Sequence, residues 1–240
     1  MFETSSFHSQ WGQDRYLYDH FFHHRGGTFF EVGAHDGVTL SNTLFFEREL
    51  GWRGALVEMQ PWFFPRMSEL RPGSLCINSG IGPGPMELLF LDAGDRSGLL
   101  RYFAHSDVEY LENFYRDRDP KPKFNLHWVN VRPLQDILDQ ASIRHIDYFS
   151  LDVEGAEMQI LTMIDFSRVT VDLFTIEDNS PVDQWKSYRD YLAPHGYKCI
   201  GGLGVDAIFV HERLLARLAA ARGADYLTKI REKLLPPPPS

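Results

Sequence analysis

FFEVGAHDGVTLSN, residues 29–42, decides how the rest of this chain is read. Phe29, Phe30 and Val32 have the aromatic and β-branched character of a short buried strand. Gly33 and Gly37 then permit a turn in which backbone comes close to a ligand, and a helix is expected from about Ser41. A ligand there would meet the tip of a parallel strand and the N–H groups of a helix start. The dinucleotide pattern Gly-x-Gly-x-x-Gly is not met, because position 35 is His where the pyrophosphate needs bare backbone. Glu31, two residues before Gly33, would repel a pyrophosphate but can accept a hydrogen bond from an ammonium group. That combination points to a cationic nucleoside such as S-adenosylmethionine. Glu58 ends the next apolar stretch, 21 residues after Gly37. An acid at that place is positioned for the two hydroxyls of an adenosine ribose.

Outward from this stretch, strand-like and helix-like segments alternate. TFFEV (28–32), GALVEM (54–59), SLCINS (74–79), IDYFSLD (146–152), DLFTIED (172–178), YKCI (197–200) and VDAIFV (205–210) read as strands. Helices are expected near 10–21, 41–50, 62–70, 106–117, 133–141, 155–164 and 184–193, the third starting late or on Pro65. Such alternation predicts an α/β fold, a mostly parallel sheet with helices on both faces. The last two strands have only the GGLG link between them, so they are expected to form an antiparallel hairpin at the sheet edge. The domain is expected over 1–210, with an N-terminal helical cover. A helical extension, broken at Gly223, follows over 211–235, and a proline tail over 236–240. The Leu/Ala stripe of that extension reads as a packing face; docking of a second copy or a fused domain there is the alternative.

Composition narrows the function. The chain has 240 residues, a formal net charge of −9, 43% hydrophobic and 24% charged residues. An acidic balance argues against nucleic acid as a partner, since phosphate backbones need clustered Lys and Arg. There is no apolar run long enough for a transmembrane segment, and the N-terminus lacks a secretory pattern. Cys76 and Cys199 lie in apolar segments and read as buried thiols of a reducing, cytoplasmic compartment. RDRDPKPK (116–123) reads as a solvated loop, with a substrate lid as the functional alternative. The HFFHH cluster (His20, His23, His24) would need one or two further ligands to hold zinc and reads as a helix end carrying cations.

SQWGQD (9–14), GGTFFEVGAHDGVTLSNT (26–43), GWRGALVE (51–58), IDYFSLDVEGAEMQIL (146–161) and DLFTIE (172–177), in this order, resemble the FkbM family of S-adenosylmethionine-dependent methyltransferases. The resemblance implies a Rossmann-like class I fold, with a seven-stranded, mostly parallel sheet ending in a reversed hairpin. It also implies methyl transfer to a hydroxyl of a sugar, glycolipid or natural product. By position, Glu31, Gly33, Ala34, His35 and Gly37 would hold the methionine part, with Asn42 supporting the loop. Glu58 would hold the ribose. Gln10, Gln13 and Asp14 would reach the site from the N-terminal helix. Residues 85–130 match no motif and are expected to shape the pocket of a small-molecule or glycan acceptor.

Methyl transfer to oxygen needs a positioned hydroxyl and a base for its proton. Asp152 and Glu154, at the tip of the fourth expected strand, are the candidates for that base, and Asp152 also borders the cofactor. Glu157 reads as a first-turn helix acid. The next strand ends TIEDN, which is similar to the metal site of catechol-type O-methyltransferases. That likeness implies Mg²⁺ on Asp152, Asp178 and Asn179, a set of oxygen ligands suited to a hard cation. Against it stands the reading of Asn179-Ser180-Pro181 as a turn. DVEG in place of an Asn/Asp-Pro-Pro-aromatic block disfavours methylation of nucleobase amines. A non-catalytic scaffold with the same fold is the alternative from another class; the retained Glu31, Gly33, Gly37, Glu58 and Asp152 weigh against it. An NAD-linked enzyme is a third reading.

Overall fold

A computed structural model describes residues 2–94, 97–102, 113, 116, 124–178 and 185–235. In chain order the elements are α1 (Gln13–His20), β1 (Thr28–Val32), α2 (Leu44–Leu50), β2 (Arg53–Glu58), α3 (Phe64–Leu70), β3 (Leu75–Asn78), β4 (Gly80–Ile81), β5 (Met86–Asp92), β6 (Gly98–Leu99), β7 (Asn125–Arg132), α4 (Leu134–Gln140), β8 (His145–Leu151), α5 (Glu157–Leu161), β9 (Thr170–Glu177), α6 (Trp185–Leu192), β10 (Tyr197–Leu203), β11 (Asp206–His211), α7 (Glu212–Arg222) and α8 (Tyr226–Arg231). Pro65 stands in the first turn of α3, where its missing N–H costs nothing. The helix expected near 106–117 falls, but for residues 113 and 116, outside the described residues, as do Asn179 and the proline tail.

Seven strands form the main sheet in the order β10-β11-β9-β8-β1-β2-β3. β11 runs antiparallel to both β9 and β10, while β9-β8-β1-β2-β3 are parallel throughout. The reversed hairpin therefore lies at the sheet edge, as the missing helix between its strands predicts. Its turn is tighter than expected. Gly201 and Gly202 belong to β10, which bulges between Cys199 and Gly201, and the chain reverses around Gly204.

Strand alternation sorts the side chains into two layers. Phe30, Val32, Phe149, Leu151, Phe174 and Ile176 face α4, α5 and α6. Phe29, Leu56, Tyr148, Leu173, Ile208 and Val210 face α1, α2, α3, α7 and α8. Leu214, Leu218, Ile230 and Leu234 of the C-terminal extension are buried in that second layer, and the Tyr16 hydroxyl donates to the Ile230 carbonyl at 2.7 Å. The extension's apolar stripe is thus a packing face.

Residues 80–132 hold an element the sequence reading lacked. β4, β7, β5 and β6 form a second sheet in that order, mostly antiparallel. Its inner side carries Phe90, Leu99, Val129 and Val131, all buried. The alternation in LHWVNVR, with Val129 and Val131 inside and Leu126 and Trp128 exposed, was the available signal. Among the described residues, no helix is long and apolar enough to cross a membrane.

Candidate active site

In open parallel sheets, ligands bind at the carboxyl ends of the strands where the strand order reverses. Here that point lies between β1 and β8, and a cavity of about 910 Å³ opens there. Its walls come from the loops after β1 and β2, the second sheet, the loop after β8, the ends of β9 and β11, and the segment before α1. Of the N-terminal residues expected at the site, Gln10 and Gln13 line the cavity, together with Trp11.

The loop after β1 is held by its own acids. Gly33 has φ +84°, and a Cβ there would lie 1.6 Å from the Asp152 carbonyl oxygen. Only glycine lets β1 and the loop after β8 approach so closely. The Gly33 and Ala34 amides both donate to the Val57 carbonyl. Glu31 is almost fully buried, and its carboxylate accepts from the Ser41 hydroxyl, the Asn42 amide and the Thr43 hydroxyl. Arg71 Nη1 lies 3.9 Å away. Burial raises the Glu31 pKa, and the Arg71 guanidinium opposes that rise. Glu31 thus lines the cavity with its oxygens engaged in fixing the 41–43 turn. Beside it, Asn42 gives its side-chain N–H to Ser150 Oγ at 2.9 Å, while its buried Oδ1 has no partner.

Glu58 ends β2 and accepts the His35 amide at 2.8 Å and the Gln60 amide at 2.7 Å. Burial pushes its pKa up to about 7. His35 (φ +51°) turns its ring onto Phe63, with centroids 3.7 Å apart. Two residues of the expected set stand outside the cavity wall. Asp14 accepts the Ser9 hydroxyl and the His8 and Ser9 amides, so it shapes the turn that carries Gln10 and Trp11. Gly37 lies against α3: a Cβ there would sit 2.9 Å from Arg71 Cγ.

Strand register gathers carboxylates on one rim. Glu31 pairs with Ser150, Ser150 with Thr175, and Glu177 with Asp206, so Glu31, Glu58, Glu177 and Asp206 share one face of the sheet. Asp152 and Glu154 follow β8 at the same end. One oxygen each from Asp152, Glu154 and Glu177 lie within 4.8 Å of one another. Burial, then the charges of Asp152 and Glu154, raise the Glu177 pKa well above the ordinary range. Burial and Asp152 push Asp206 up to about 7. Glu157 lies behind the loop and accepts the Val153 and Gly155 amides. It holds Glu154 in its left-handed conformation (φ +56°) instead of merely facing the helix dipole.

The residues present do not fit the expected Mg²⁺ site. Asp178 is not in the cavity wall, and its amide donates to the Val205 carbonyl. Asn179 lies outside the described residues. Glu177 is the strand-end acid that joins Asp152 and Glu154, because the pleat turns consecutive side chains to opposite faces.

Residues 31–199 match the model of the methyltransferase FkbM domain. The chain belongs to the FkbM methyltransferase family. With the family goes its methyl donor, S-adenosylmethionine. A comparison with curated protein sequences finds no match. Among solved structures, the chain is similar to precorrin-6y C5,15-methyltransferase from Geobacter metallireducens, at 9% identity and TM-score 0.46, covering 88% of this chain and 91% of that one. It is also similar to the Methanococcus jannaschii fibrillarin pre-rRNA processing protein, at 11% identity and TM-score 0.43, covering 79% and 68%. A TehB-like methyltransferase from Corynebacterium glutamicum follows at 10% identity and TM-score 0.41, covering 85% and 89%.

In this FkbM domain three residues at or beneath the cavity escape a reading of the sequence. Glu177 ends β9 with Asp178 directly after it and Asp206 begins β11, and only the pairing of β9 with β11 brings Glu177 and Asp206 together at the rim. Arg71 follows α3 as one of many surface-type arginines, yet its side chain is fully buried. It donates to the Gly37 carbonyl at 2.7 Å, to Ser41 Oγ at 3.1 Å and to Thr43 Oγ1 at 3.0 Å, and pairs with Glu47 at 2.9 Å. No local pattern announces a cation that clamps a loop 28 to 34 residues earlier.

Proposed function

We propose that this protein transfers a methyl group from S-adenosylmethionine to a hydroxyl of a sugar, glycolipid or natural product. One observation carries the reading of the donor. Seven carboxylates line the cavity (Glu31, Glu58, Asp92, Asp152, Glu154, Glu177 and Asp206), and among the described residues no Lys or Arg does. Such a wall disfavours the phosphates of NAD and favours a ligand carrying ammonium and sulfonium charge. The unpartnered Asn42 Oδ1 adds an acceptor beside the glycine turn.

S-adenosylmethionine, when bound, supplies a methyl group already activated by its sulfonium. Glu58, with both oxygens oriented by backbone amides, accepts the ribose hydroxyls. Gly33, Ala34, His35 and Asn42 border the methionine end. Asp152 or Glu154 takes the proton of the acceptor hydroxyl. The neighbouring Glu177, whose own pKa is raised well above the ordinary range by burial and by the charges of Asp152 and Glu154, lies with them at the same rim. Trp11 and Trp62 line the mouth with 48% and 41% of their surfaces exposed. Trp62 is backed by His127 at 4.8 Å. Flat, partly exposed rings of this kind suit the apolar faces of a sugar or ring acceptor. A reducing, cytoplasmic setting belongs to the same proposal, supported by two cysteines that are half-buried thiols on β3 and β10.

Calorimetric titration with S-adenosylhomocysteine, with NAD as the control, tests the donor. Micromolar binding of the first alone is expected; binding of NAD would overturn the reading. Transfer of a labelled methyl group onto a panel of glycans, lipids and amines, with and without EDTA, then tests the acceptor. Labelled ethers formed in the presence of EDTA are expected, and exclusive labelling of amines would overturn hydroxyl transfer.

A further inference from the structure

Far from the cavity, at the amino ends of the strands, three donor side chains converge, and a fourth, His24, approaches one of them. His145 Nε2 lies 3.5 Å from Asp147 Oδ1 and 3.8 Å from Asp172 Oδ2. The three donor atoms of His145, Asp147 and Asp172 lie within 4.8 Å of one another. His24 Nε2 approaches the same Asp147 Oδ1 at 3.4 Å. Of the HFFHH run, His24 turns this way; His20 meets Tyr16 at a tilt and His23 meets Tyr18 edge-on.

These separations are longer than good N–H···O hydrogen bonds. At 3.4–3.8 Å they are close to, and slightly wider than, the edges of a coordination polyhedron, since bonds of about 2.0–2.1 Å to a tetrahedral zinc ion put neighbouring donors roughly 3.3–3.4 Å apart. The supporting contacts are those a metal site needs. His145 Nδ1 is 2.9 Å from Thr170 Oγ1, which orients Nε2 towards the carboxylates. Asp147 Oδ2 accepts the Thr28 amide at 2.8 Å, so Oδ1 is the oxygen turned to the two imidazoles. The His24 ring stacks on buried Trp52 at 5.0 Å, and the Trp52 indole N–H donates to the His24 carbonyl. Arg217 now donates to Asp172 Oδ2, and Arg213 lies 4.0 Å from Oδ1. The Arg217 side chain is 63% exposed and can swing into solvent when a divalent ion takes its place.

We propose that His24, His145, Asp147 and Asp172 form a structural site for a zinc-class divalent ion. It would cross-link the loop before β1 to β8 and β9, at the end of the sheet opposite the cavity. Two imidazoles with two carboxylates suit zinc better than the hard cations, which prefer oxygen alone.

Titration of the metal-free full-length protein with ZnCl₂, and with CoCl₂ read by its visible absorption, tests the site. One equivalent is expected to bind at micromolar concentration or tighter, with a tetrahedral Co²⁺ spectrum and a higher Tm. His24→Ala and His145→Ala, both at half-exposed positions, are each expected to weaken binding at least tenfold. Arg217→Ala should bind as well or better, because it removes the competing cation. Asp152→Asn should bind unchanged, which separates this site from the cavity acids. S-adenosylhomocysteine affinity of His145→Ala should also be unchanged, so the site and the proposed enzymatic function stand or fall separately. Absence of stoichiometric binding, or binding that survives both histidine substitutions, would overturn the proposal.

Discussion

Gln13 Nε2 donates to Asp206 Oδ2 at 2.7 Å, joining α1 to the last hairpin across 193 residues of sequence. The same side chain accepts the Trp11 amide through Oε1 at 2.9 Å. One amide thus fixes both the N-terminal cover and the strand-end acid beneath it. Gln13→Ala is expected to cost about 1–3 kcal/mol in urea denaturation, since it leaves Asp206 buried with its partner gone. Asp206→Asn in that background should restore part of the loss. An unchanged midpoint would mean that α1 is held by its apolar face alone.

Arg71 offers a second stability test. Its guanidinium links Gly37, Ser41, Thr43 and Glu47 with its side chain fully buried. Arg71→Met should destabilise the fold by roughly 3–5 kcal/mol, because Glu31 and Glu47 would lose their buried counter-charge. Cofactor affinity should fall with it, as the 35–43 loop loses its clamp. Wild-type stability in this variant would show that the carboxylates are neutral in the native protein.

The cavity acids divide by step. Glu58→Ala is expected to weaken S-adenosylhomocysteine binding by about 1–3 kcal/mol through lost charged hydrogen bonds. Asp152→Asn should lower kcat by roughly 10²–10⁴-fold, the usual worth of a general base. Its donor affinity should change far less than that of Glu58→Ala. Calorimetry and steady-state kinetics on the two variants check this; the opposite pattern would exchange the roles.

Stability should fall as pH rises from about 6.5 to 8. Glu58, Glu157 and Asp206 all titrate at about 7 in the folded chain, above the ordinary carboxylate range of 3.8–4.5, chiefly through burial. Over this window the native state holds more protons than the unfolded chain, so the slope of unfolding free energy with pH is negative. His145, raised through Asp147, acts in the same direction. His8, His20, His23 and His211 are lowered by burial and act in the opposite direction, but chiefly below 6.5. Thermal melts across this range check the slope, and Asp206→Asn should flatten it. A rising Tm would contradict the buried acids.

Much of the fold could be read from local pattern. Phe29-Phe30-Glu31-Val32 announces a strand, Pro65 a helix start, and the short GGLG link an edge hairpin; each is a short-range consequence of backbone sterics and hydrophobic periodicity. The second sheet was harder. Its central pairing joins Met86–Asp92 to Asn125–Arg132 across about thirty intervening residues, and only the alternation in LHWVNVR hinted at it.

The site divides along the same line. The glycine turn after β1, the strand-end Glu58 and Asp152, and the family to which the chain belongs are legible in the sequence, because each is written within a few neighbouring residues. Tertiary structure alone decided that Glu177 and not Asp178 faces the cavity, that Asp206 pairs with Gln13, and that Arg71 is buried beneath the loop. It also decided that His24 meets His145 and Asp147. The physical reason is register: a one-residue shift of a strand turns every side chain to the other face, and register is set by packing between segments far apart in sequence.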